Sequence, residues 1–159
     1  MGIQRSRARP QDRSWHVHAL IEGSLPDEFL LDSGATHSVI SVDTYSAIPV
    51  TQRPALIDVN KGEAVRGFDG NTTQIVGNIF LEFSLAGHTF QWKFLVANAK
   101  CGNILGIDFM SHHKVFFDYE QDLVWCSETI PMRASVVTPA QSIQAVSYTH
   151  LTLPTIYSV

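Results

Sequence analysis

Asp32 has the surroundings of a residue that does chemistry. It follows the apolar run 29–31 (Phe-Leu-Leu) and is followed by Ser33 and Gly34. Burial of the apolar run would hold the Asp32 carboxylate rigidly at the edge of a core, and Gly34 has no side chain to keep other groups away from it. The Ser33 hydroxyl can tie the turn to another strand by a hydrogen bond. A carboxyl group fixed in this way is suited to general acid or base catalysis.

The tripeptide Asp-Ser-Gly is common in ordinary β-turns, so its flanks decide how it is interpreted. The segment 35–40 that follows it (Ala-Thr-His-Ser-Val-Ile) would be unusual beside an exposed turn. Further along, residues 101–110 (Cys-Gly-Asn-Ile-Leu-Gly-Ile-Asp-Phe-Met) indicate an apolar strand that ends at Gly106 and passes directly into a short helix. Both features favour a functional turn at Asp32 over a structural one.

These two motifs, in this order, resemble those of the retropepsin-like aspartic proteases, the dimeric peptidases of retroviruses and retrotransposons and their cellular relatives. The resemblance covers residues 15–126. The catalytic Asp-Thr/Ser-Gly-Ala motif of that family is matched by Leu31, Asp32, Ser33, Gly34 and Ala35. The Ile-Leu-Gly-x-Asp-Phe pattern of its retrotransposon members is matched by Ile104, Leu105, Gly106, Ile107, Asp108 and Phe109.

The resemblance implies that Asp32 is catalytic and that Ser33, Gly34 and Ala35 support its loop. A chain of this family supplies one aspartate where the chemistry needs two, and this sequence contains a single Asp-Ser/Thr-Gly. A homodimer is therefore implied, with an extended peptide or polyprotein as substrate and with no metal or cofactor. Two Asp32 side chains a few ångströms apart would share one proton, because both cannot ionise at once.

Between its two motifs the family has a glycine-containing β-hairpin, the flap, which closes over substrate. Residues 65–71 (Val-Arg-Gly-Phe-Asp-Gly-Asn) match the tip of that hairpin by position and by their glycines. The resemblance therefore places Gly67, Phe68, Asp69 and Gly70 at a substrate-binding flap tip, with residues 74–77 on the returning strand.

Other residues with reactive or aromatic side chains have structural interpretations. Asp108, inside the first turn of a short helix, is expected to stabilise the helix N-terminus or to pair with a nearby cation. His37 is expected at the surface or at a strand edge. Trp92 and Trp125 lie in apolar strands and are expected to pack in the core or in an interface.

The histidines and cysteines do not have the spacing of a zinc site, because neither Cys-x-x-Cys nor His-x-x-x-His occurs. The residues considered are His16, His18, His112, His113, Cys101 and Cys126. We therefore expect no metal site, and we expect both cysteines to be reduced thiols.

The elements that must position Asp32 are predicted to be short strands. Apolar runs broken by Gly, Pro, Asn or Asp at intervals of about 8–12 residues are typical of a β-sandwich or barrel. The candidate strands are 15–21, 28–31, 57–65, 73–85, 89–96, 103–105, 114–118 and 122–125. A hairpin turn is expected at 86–88, and short helices are expected at 41–47 and 106–113. The predicted fold class is all-β: a retropepsin-like closed barrel or sandwich with a flap hairpin and one or two short helices.

Composition fits one compact domain: the chain has 159 residues, 45 % of them hydrophobic and 16 % charged, with a net charge of -4. The acidic balance argues against nucleic-acid binding by the domain. Apolar runs fall far short of the ~18 residues of a membrane-spanning helix, and no signal peptide is evident. We expect no membrane partner and an intracellular location, in the cytoplasm or in a retroelement particle.

Three regions are predicted along the chain. Residues 1–13 are a basic, disordered arm that contains four arginines, residues 14–127 are the protease-like domain, and residues 128–159 are a disordered tail. From about residue 146 the tail resembles translated sequencing-adapter sequence, so its end is interpreted as non-native.

Three functions remain open at this point. The leading hypothesis is a homodimeric aspartic endopeptidase that processes a retroelement polyprotein. A catalytically idle retropepsin-like module, retained for dimerisation or peptide binding, is the first alternative, although an idle copy has no chemical reason to keep Asp32. An unrelated β-barrel binding domain is the second, and it leaves the motif at 104–109 unexplained.

Overall fold

The structure is a computed structural model that describes residues 14–57, 64–66, 72–98, 100, 102–127 and 130–137. Within these ranges the elements, in chain order, are β1 (Ser14–Ile21), β2 (Leu25–Leu31), β3 (Val39–Ser41), α1 (Val42–Ala47), β4 (Ala64–Arg66), β5 (Thr72–Leu85), β6 (His88–Ala97), β7 (Ile104–Leu105), α2 (Ile107–His112), β8 (Phe116–Asp118), β9 (Leu123–Cys126) and β10 (Ile130–Val137). Both of these helices are six residues long, and none in the described ranges is long and apolar enough to cross a bilayer.

The strands form one mixed sheet in the order β4-β5-β6-β3-β7-β2-β1-β10-β9-β8. A further pairing of β5 with β1, at Leu20 with Ser84 and at Ile21 with Phe83, closes the strands from β5 to β1 into a ring. Strands β2 and β7 run parallel, as do β3 and β6. The all-β closed architecture predicted from the sequence is confirmed, with β10, β9 and β8 extending beyond the ring.

The core inside the ring is rich in phenylalanine. Phe29 on β2, Phe83 on β5 and Phe94 on β6 are fully buried, and their ring centroids lie 5.3, 5.5 and 5.6 Å apart. Phe109 of α2 joins them through Phe83, at 5.7 Å. Because aromatic contacts of this kind strengthen core packing, α2 is anchored to the same core as β2, the strand that leads to Asp32.

The predicted strands and turns correspond well to β1, β2 and β5 to β9. The turn between β5 and β6 consists of Ala86 and Gly87, with φ of 51° and 81°, and positive φ at both positions suits the twist of a two-residue hairpin. Helix α1 begins as predicted, because the Ser41 hydroxyl accepts a hydrogen bond from the Thr44 amide at 3.0 Å.

The prediction of a disordered tail from residue 128 is wrong for residues 130–137, which form β10. This strand pairs with both β1 and β9, and Met132 is buried. Pro131 weakens the strand signal in the sequence, and pairing with two neighbouring strands overrides it. The predicted arm at 1–13 and the rest of the predicted tail, 138–159, lie outside the described residues.

Two other regions differ from the prediction. Within the predicted strand 57–65, Ile57 forms an isolated bridge to Asn78, β4 covers Ala64–Arg66, and residues 58–63 lie outside the described ranges. Strand β3 was not predicted because three residues are too few to show a period. Its partners decide its conformation, since it pairs with β6 and, at Val39, with β7.

Candidate functional site

Asp32 lies directly after the C-terminal end of β2, in the middle of the sheet. On one side β2 pairs with β1, and on the other it runs parallel to β7, with Leu31 opposite Leu105. The Asp32 amide continues this ladder by donating to the Leu105 carbonyl at 3.1 Å. The backbone at Asp32 is therefore fixed by a strand whose Phe29 and Leu31 are buried, while Asp32 itself is partly exposed.

The turn after Asp32 is closed by its own side chain and carbonyl. The Gly34 amide donates to Asp32 Oδ1 at 2.9 Å, and the Ala35 amide donates to the Asp32 carbonyl at 3.1 Å. A Cβ placed on Gly34 would lie 3.2 Å from Asp32 Oδ1. Glycine at this position thus lets the amide reach the carboxylate without crowding it.

Ser33 is exposed at the tip of this turn. Within the described part of the chain its hydroxyl forms no hydrogen bond to another strand, so the expected tie is absent inside one copy. Strands β1 and β7 pair with β2 through backbone hydrogen bonds, and Ser33 lies beyond the end of β2.

Gly106 brings the second motif into contact with the loop that follows Asp32. The Ile107 amide donates to the Ala35 carbonyl at 2.8 Å, and the Gly106 amide donates to the Ser38 hydroxyl at 3.0 Å. A Cβ on Gly106 would lie 2.7 Å from the carbonyl oxygens of both Ala35 and His37. A side chain would therefore separate the two motifs, and the two sequence patterns are parts of one site.

Asp108 lies in the first turn of α2, as expected, but its partners differ from those predicted. Its carboxylate accepts hydrogen bonds from the Ser38 hydroxyl at 2.8 Å, the Ser38 amide at 3.1 Å and the Trp92 indole at 3.0 Å. These groups satisfy it without a cation. Sequence reasoning missed Ser38 and the Trp92 bond, because Ser38 and Asp108 are separated by 70 positions and no local pattern joins them.

The strands expected to carry the flap are present. Strand β4 pairs antiparallel with the start of β5, with Val65 opposite Thr73 and Arg66 opposite Thr72. The proposed tip residues Gly67, Phe68, Asp69 and Gly70 lie outside the described residues, so their role stays a prediction.

His37 lies at the surface, whereas Trp92 and Trp125 pack against other aromatic rings. His37 is exposed, with its Nδ1 3.0 Å from the Thr36 hydroxyl. The Trp92 ring packs edge-on against the Phe109 ring, with centroids 5.5 Å apart. The Trp125 ring lies nearly parallel to the Phe116 ring of β8, with centroids 6.3 Å apart. Both tryptophans thus pack against aromatic rings, as expected from the sequence, and Trp92 in addition donates to Asp108.

Across the described ranges, no group of three or more His, Cys, Asp or Glu side chains is arranged to hold a metal ion. His16 and His18 each approach Glu28 at 3.9 Å. Burial lowers the pKa of His16, and the nearby Glu28 carboxylate partly opposes that effect. Cys126 is a buried free thiol whose pKa burial raises. Cys101 lies outside the described residues.

Known structures share this architecture. The retroviral protease-like domain of Ddi1 from Leishmania major superposes with a TM-score of 0.60 at 20 % sequence identity, covering 77 % of this chain and 93 % of that domain. The fold is retropepsin-like. EIAV protease complexed with the inhibitor HBY-793 matches with a TM-score of 0.48 at 21 % identity, covering 67 % of this chain and 93 % of that one. No protein-family model and no curated protein sequence matches the chain.

The retropepsin-like fold excludes the unrelated β-barrel considered above. A depression of about 390 Å³ lies beside the β1–β2 hairpin, and another of about 310 Å³ lies between β1, β10 and the β5–β6 turn; His18 lines both of them and Asp32 lines neither.

Proposed function

We propose that this chain is an aspartic endopeptidase that works as a homodimer, with the Asp32 residues of the two copies as its catalytic pair. The observation that carries the proposal is the environment of Asp32. Its backbone is fixed at the end of β2, its side chain is partly exposed, and within the described ranges the Gly34 amide is the one donor to its carboxylate. The other carboxylate oxygen accepts no hydrogen bond from the described residues, so it is available to a second copy, water or substrate.

A pair of Asp32 carboxyl groups supplies both a base and an acid. Two carboxyl groups a few ångströms apart share one proton, because like charges at that distance cannot both persist. The ionised group takes a proton from a water molecule, whose oxygen attacks the peptide carbonyl carbon. The protonated group donates to the carbonyl oxygen and later supplies a proton to the leaving nitrogen as the carbon–nitrogen bond breaks.

We propose that the second carboxylate comes from another copy of the chain. Asp108, the other acidic residue of the two motifs, is engaged by Ser38 and Trp92. Contact across a two-fold axis places each residue against its own equivalent. Asp32 and the exposed Ser33 are both on the turn that would lie at that axis.

The proposed substrate is an extended peptide, and we propose a retroelement polyprotein as its source. An extended chain can satisfy its backbone groups by pairing as an added strand. We propose that the hairpin formed by β4 and β5 covers such a peptide, since closure of a hairpin over the substrate would exclude water from the reacting bond. We place this activity inside the cell, in the cytoplasm or in a retroelement particle.

The test compares wild type with Asp32→Asn on unstructured peptides at about pH 5, where one shared proton is expected. Asp32→Asn should lose cleavage while its dimer content, measured by sedimentation, stays that of wild type. Asp43→Asn is the matched control, because it removes the same charge from an exposed position on α1. Cleavage that persists in Asp32→Asn would overturn the proposal. A folded wild-type dimer that cleaves nothing would instead support the idle module.

A further inference from the structure

Trp92, Asp108 and Ser38 form a chain of side-chain hydrogen bonds from β6 to the loop that carries Asp32. The Trp92 indole donates to Asp108 Oδ2 at 3.0 Å, and the Ser38 hydroxyl donates to Asp108 Oδ1 at 2.8 Å. The same hydroxyl accepts the Gly106 amide at 3.0 Å. Donors from two separate segments, β6 and the loop that carries Asp32, therefore converge on one carboxylate of α2.

The donors around Asp108 require an acceptor at its position. The Trp92 indole N–H and the Ser38 backbone N–H can only donate. The Ser38 hydroxyl already accepts from the Gly106 amide, and its own O–H needs an acceptor. An ionised carboxylate satisfies all of them at once, and hydrogen bonds to a charged group are stronger than neutral ones. Ser38 is 1 % exposed, so a lost partner there could not be replaced freely by water.

Ser38 is held on its backbone as well as its side chain. Its amide donates to Asp108 Oδ2 at 3.1 Å, and its carbonyl accepts the Leu95 amide of β6 at 3.0 Å. The loop 32–38 is thus held at both ends by hydrogen bonds. At its start the Asp32 amide bonds to β7, and at its end Ser38 bonds to α2 and to β6. Movement of Ser38 would be passed to the turn, because few residues separate the two ends.

Trp92 is in turn held in place by α2. Its ring lies edge-on to Phe109 at 5.5 Å and packs against His112 at 5.2 Å and His113 at 5.5 Å. This packing aims the indole N–H at the carboxylate of the same helix. Trp92 is therefore more than the packing residue expected from the sequence, since its one polar atom has a defined partner.

We propose that Asp108, oriented by Trp92, is a positioning residue that sets the geometry of the Asp32 turn through Ser38. The proposal rests on the endopeptidase function proposed above. Catalysis by two carboxyl groups depends on their placement to within a fraction of an ångström, and a misplacement of about 1 Å can cost on the order of 100-fold in rate. Asp108 and Trp92 should therefore affect kcat more than KM.

The test uses Trp92→Phe and Asp108→Asn, with kcat and KM measured separately. Trp92→Phe keeps an aromatic ring against Phe109 and removes the N–H, so kcat should fall about tenfold with KM changed by less than about twofold. Asp108→Asn should lower kcat further. Trp125→Phe is the matched control, because Trp125 lies on β9 and stacks on a ring of β8, and it should retain wild-type kcat.

A double variant separates positioning from general loss of packing. If Trp92 acts through Asp108, Trp92→Phe should have little further effect on kcat in the Asp108→Asn background, whereas independent effects would multiply. Ser38→Thr, which keeps the hydroxyl, should retain most of the kcat that Ser38→Ala loses. If Asp108→Asn does not fold, Trp92→Phe together with the Ser38 pair decides the outcome.

Two results would overturn the proposal: Trp92→Phe with wild-type kcat, or a kcat loss no greater than that of Trp125→Phe. Failure of the proposed function is recognised separately, through the carboxyl carbon resonance of Asp32 in NMR spectra of isotopically labelled protein. An inert wild type in which Trp92→Phe still shifts that resonance, and Trp125→Phe does not, would remove the endopeptidase proposal and keep the positioning role.

Discussion

Asp32 begins the loop 32–38 and Asp108 binds Ser38 at the end of that loop, and the environments of the two carboxylates are opposite. Asp108 accepts three hydrogen bonds, two from Ser38 and one from Trp92. The Asp32 side chain accepts one, from Gly34, among the described residues. A carboxylate whose oxygens are both occupied by donors of the protein fixes structure, whereas one with an oxygen that has no such donor is available to a reaction. The number of hydrogen bonds that each carboxylate accepts therefore separates a structural acidic residue from a reactive one, which the presence of Asp in a motif does not.

The largest expected effect contrasts the two residues directly. Asp32→Asn should lower peptide cleavage by about 10³-fold or more while changing the free energy of unfolding by less than about 0.5 kcal/mol. Asp108→Asn should lower the free energy of unfolding by about 1–3 kcal/mol, because it leaves buried donors without an acceptor. Urea denaturation of both variants measures this difference. Equal losses of stability would show that the two carboxylates do not divide the roles as stated.

Gly106→Ala tests the contact between the two motifs. The added methyl group would lie 2.7 Å from two backbone carbonyl oxygens, which cannot rotate away, so we expect a loss of about 1–3 kcal/mol in unfolding free energy. Ser111→Ala, at an exposed position on α2, is the control and should be nearly neutral. A Gly106→Ala protein as stable as wild type would mean that the loop and α2 can separate without cost.

Gly34→Ala addresses Asp32 alone. Its methyl group would lie 3.2 Å from Asp32 Oδ1, a contact that the side chain can relieve by a small movement. We expect a change in unfolding free energy of less than about 1 kcal/mol and a kcat lower by about tenfold. Steady-state kinetics beside urea denaturation would check both. Unchanged kcat would indicate that the position of that oxygen is not critical.

The smallest expected effect is on the stability of the protein at acid pH, where the activity of Asp32 would be assayed. Burial lowers the pKa of His16 from 6.5, Glu28 partly opposes this, and His18 adds to it. The unfolded chain therefore binds this proton more readily, so stability is complete above the ordinary pKa and declines as the pH falls towards the lowered value. His16→Gln should lose less stability than wild type between about pH 7 and pH 5, measured by urea midpoints.

His88→Gln is the matched control for that measurement, since His88 is an exposed histidine at the start of β6. It should follow the wild-type pH dependence. Parallel pH profiles for wild type and His16→Gln would contradict the assigned role of His16.

What the sequence determined by itself is local. Apolar runs bounded by Gly, Pro, Asn or Asp specified β1, β5 and β6, the small residues at 86–87 specified the turn between β5 and β6, and Ser41 marked the start of α1. The turn at Asp32 was predictable for the same reason, because burial of residues 29–31 and a following glycine act within a few positions. Two short motifs in order were enough to indicate the fold class.

Only the tertiary structure decided how distant segments meet. The bonds between Ser38 and Asp108 span 70 positions, the indole of Trp92 finds its acceptor on a different element, and β10 becomes a strand through its pairing with β1 and β9. Such contacts leave no period or spacing in the sequence. The two partners of each contact are far apart along the chain, and the topology of the whole sheet decides which residues meet. The residue expected to react could therefore be read locally, while the residues that hold it in place could not.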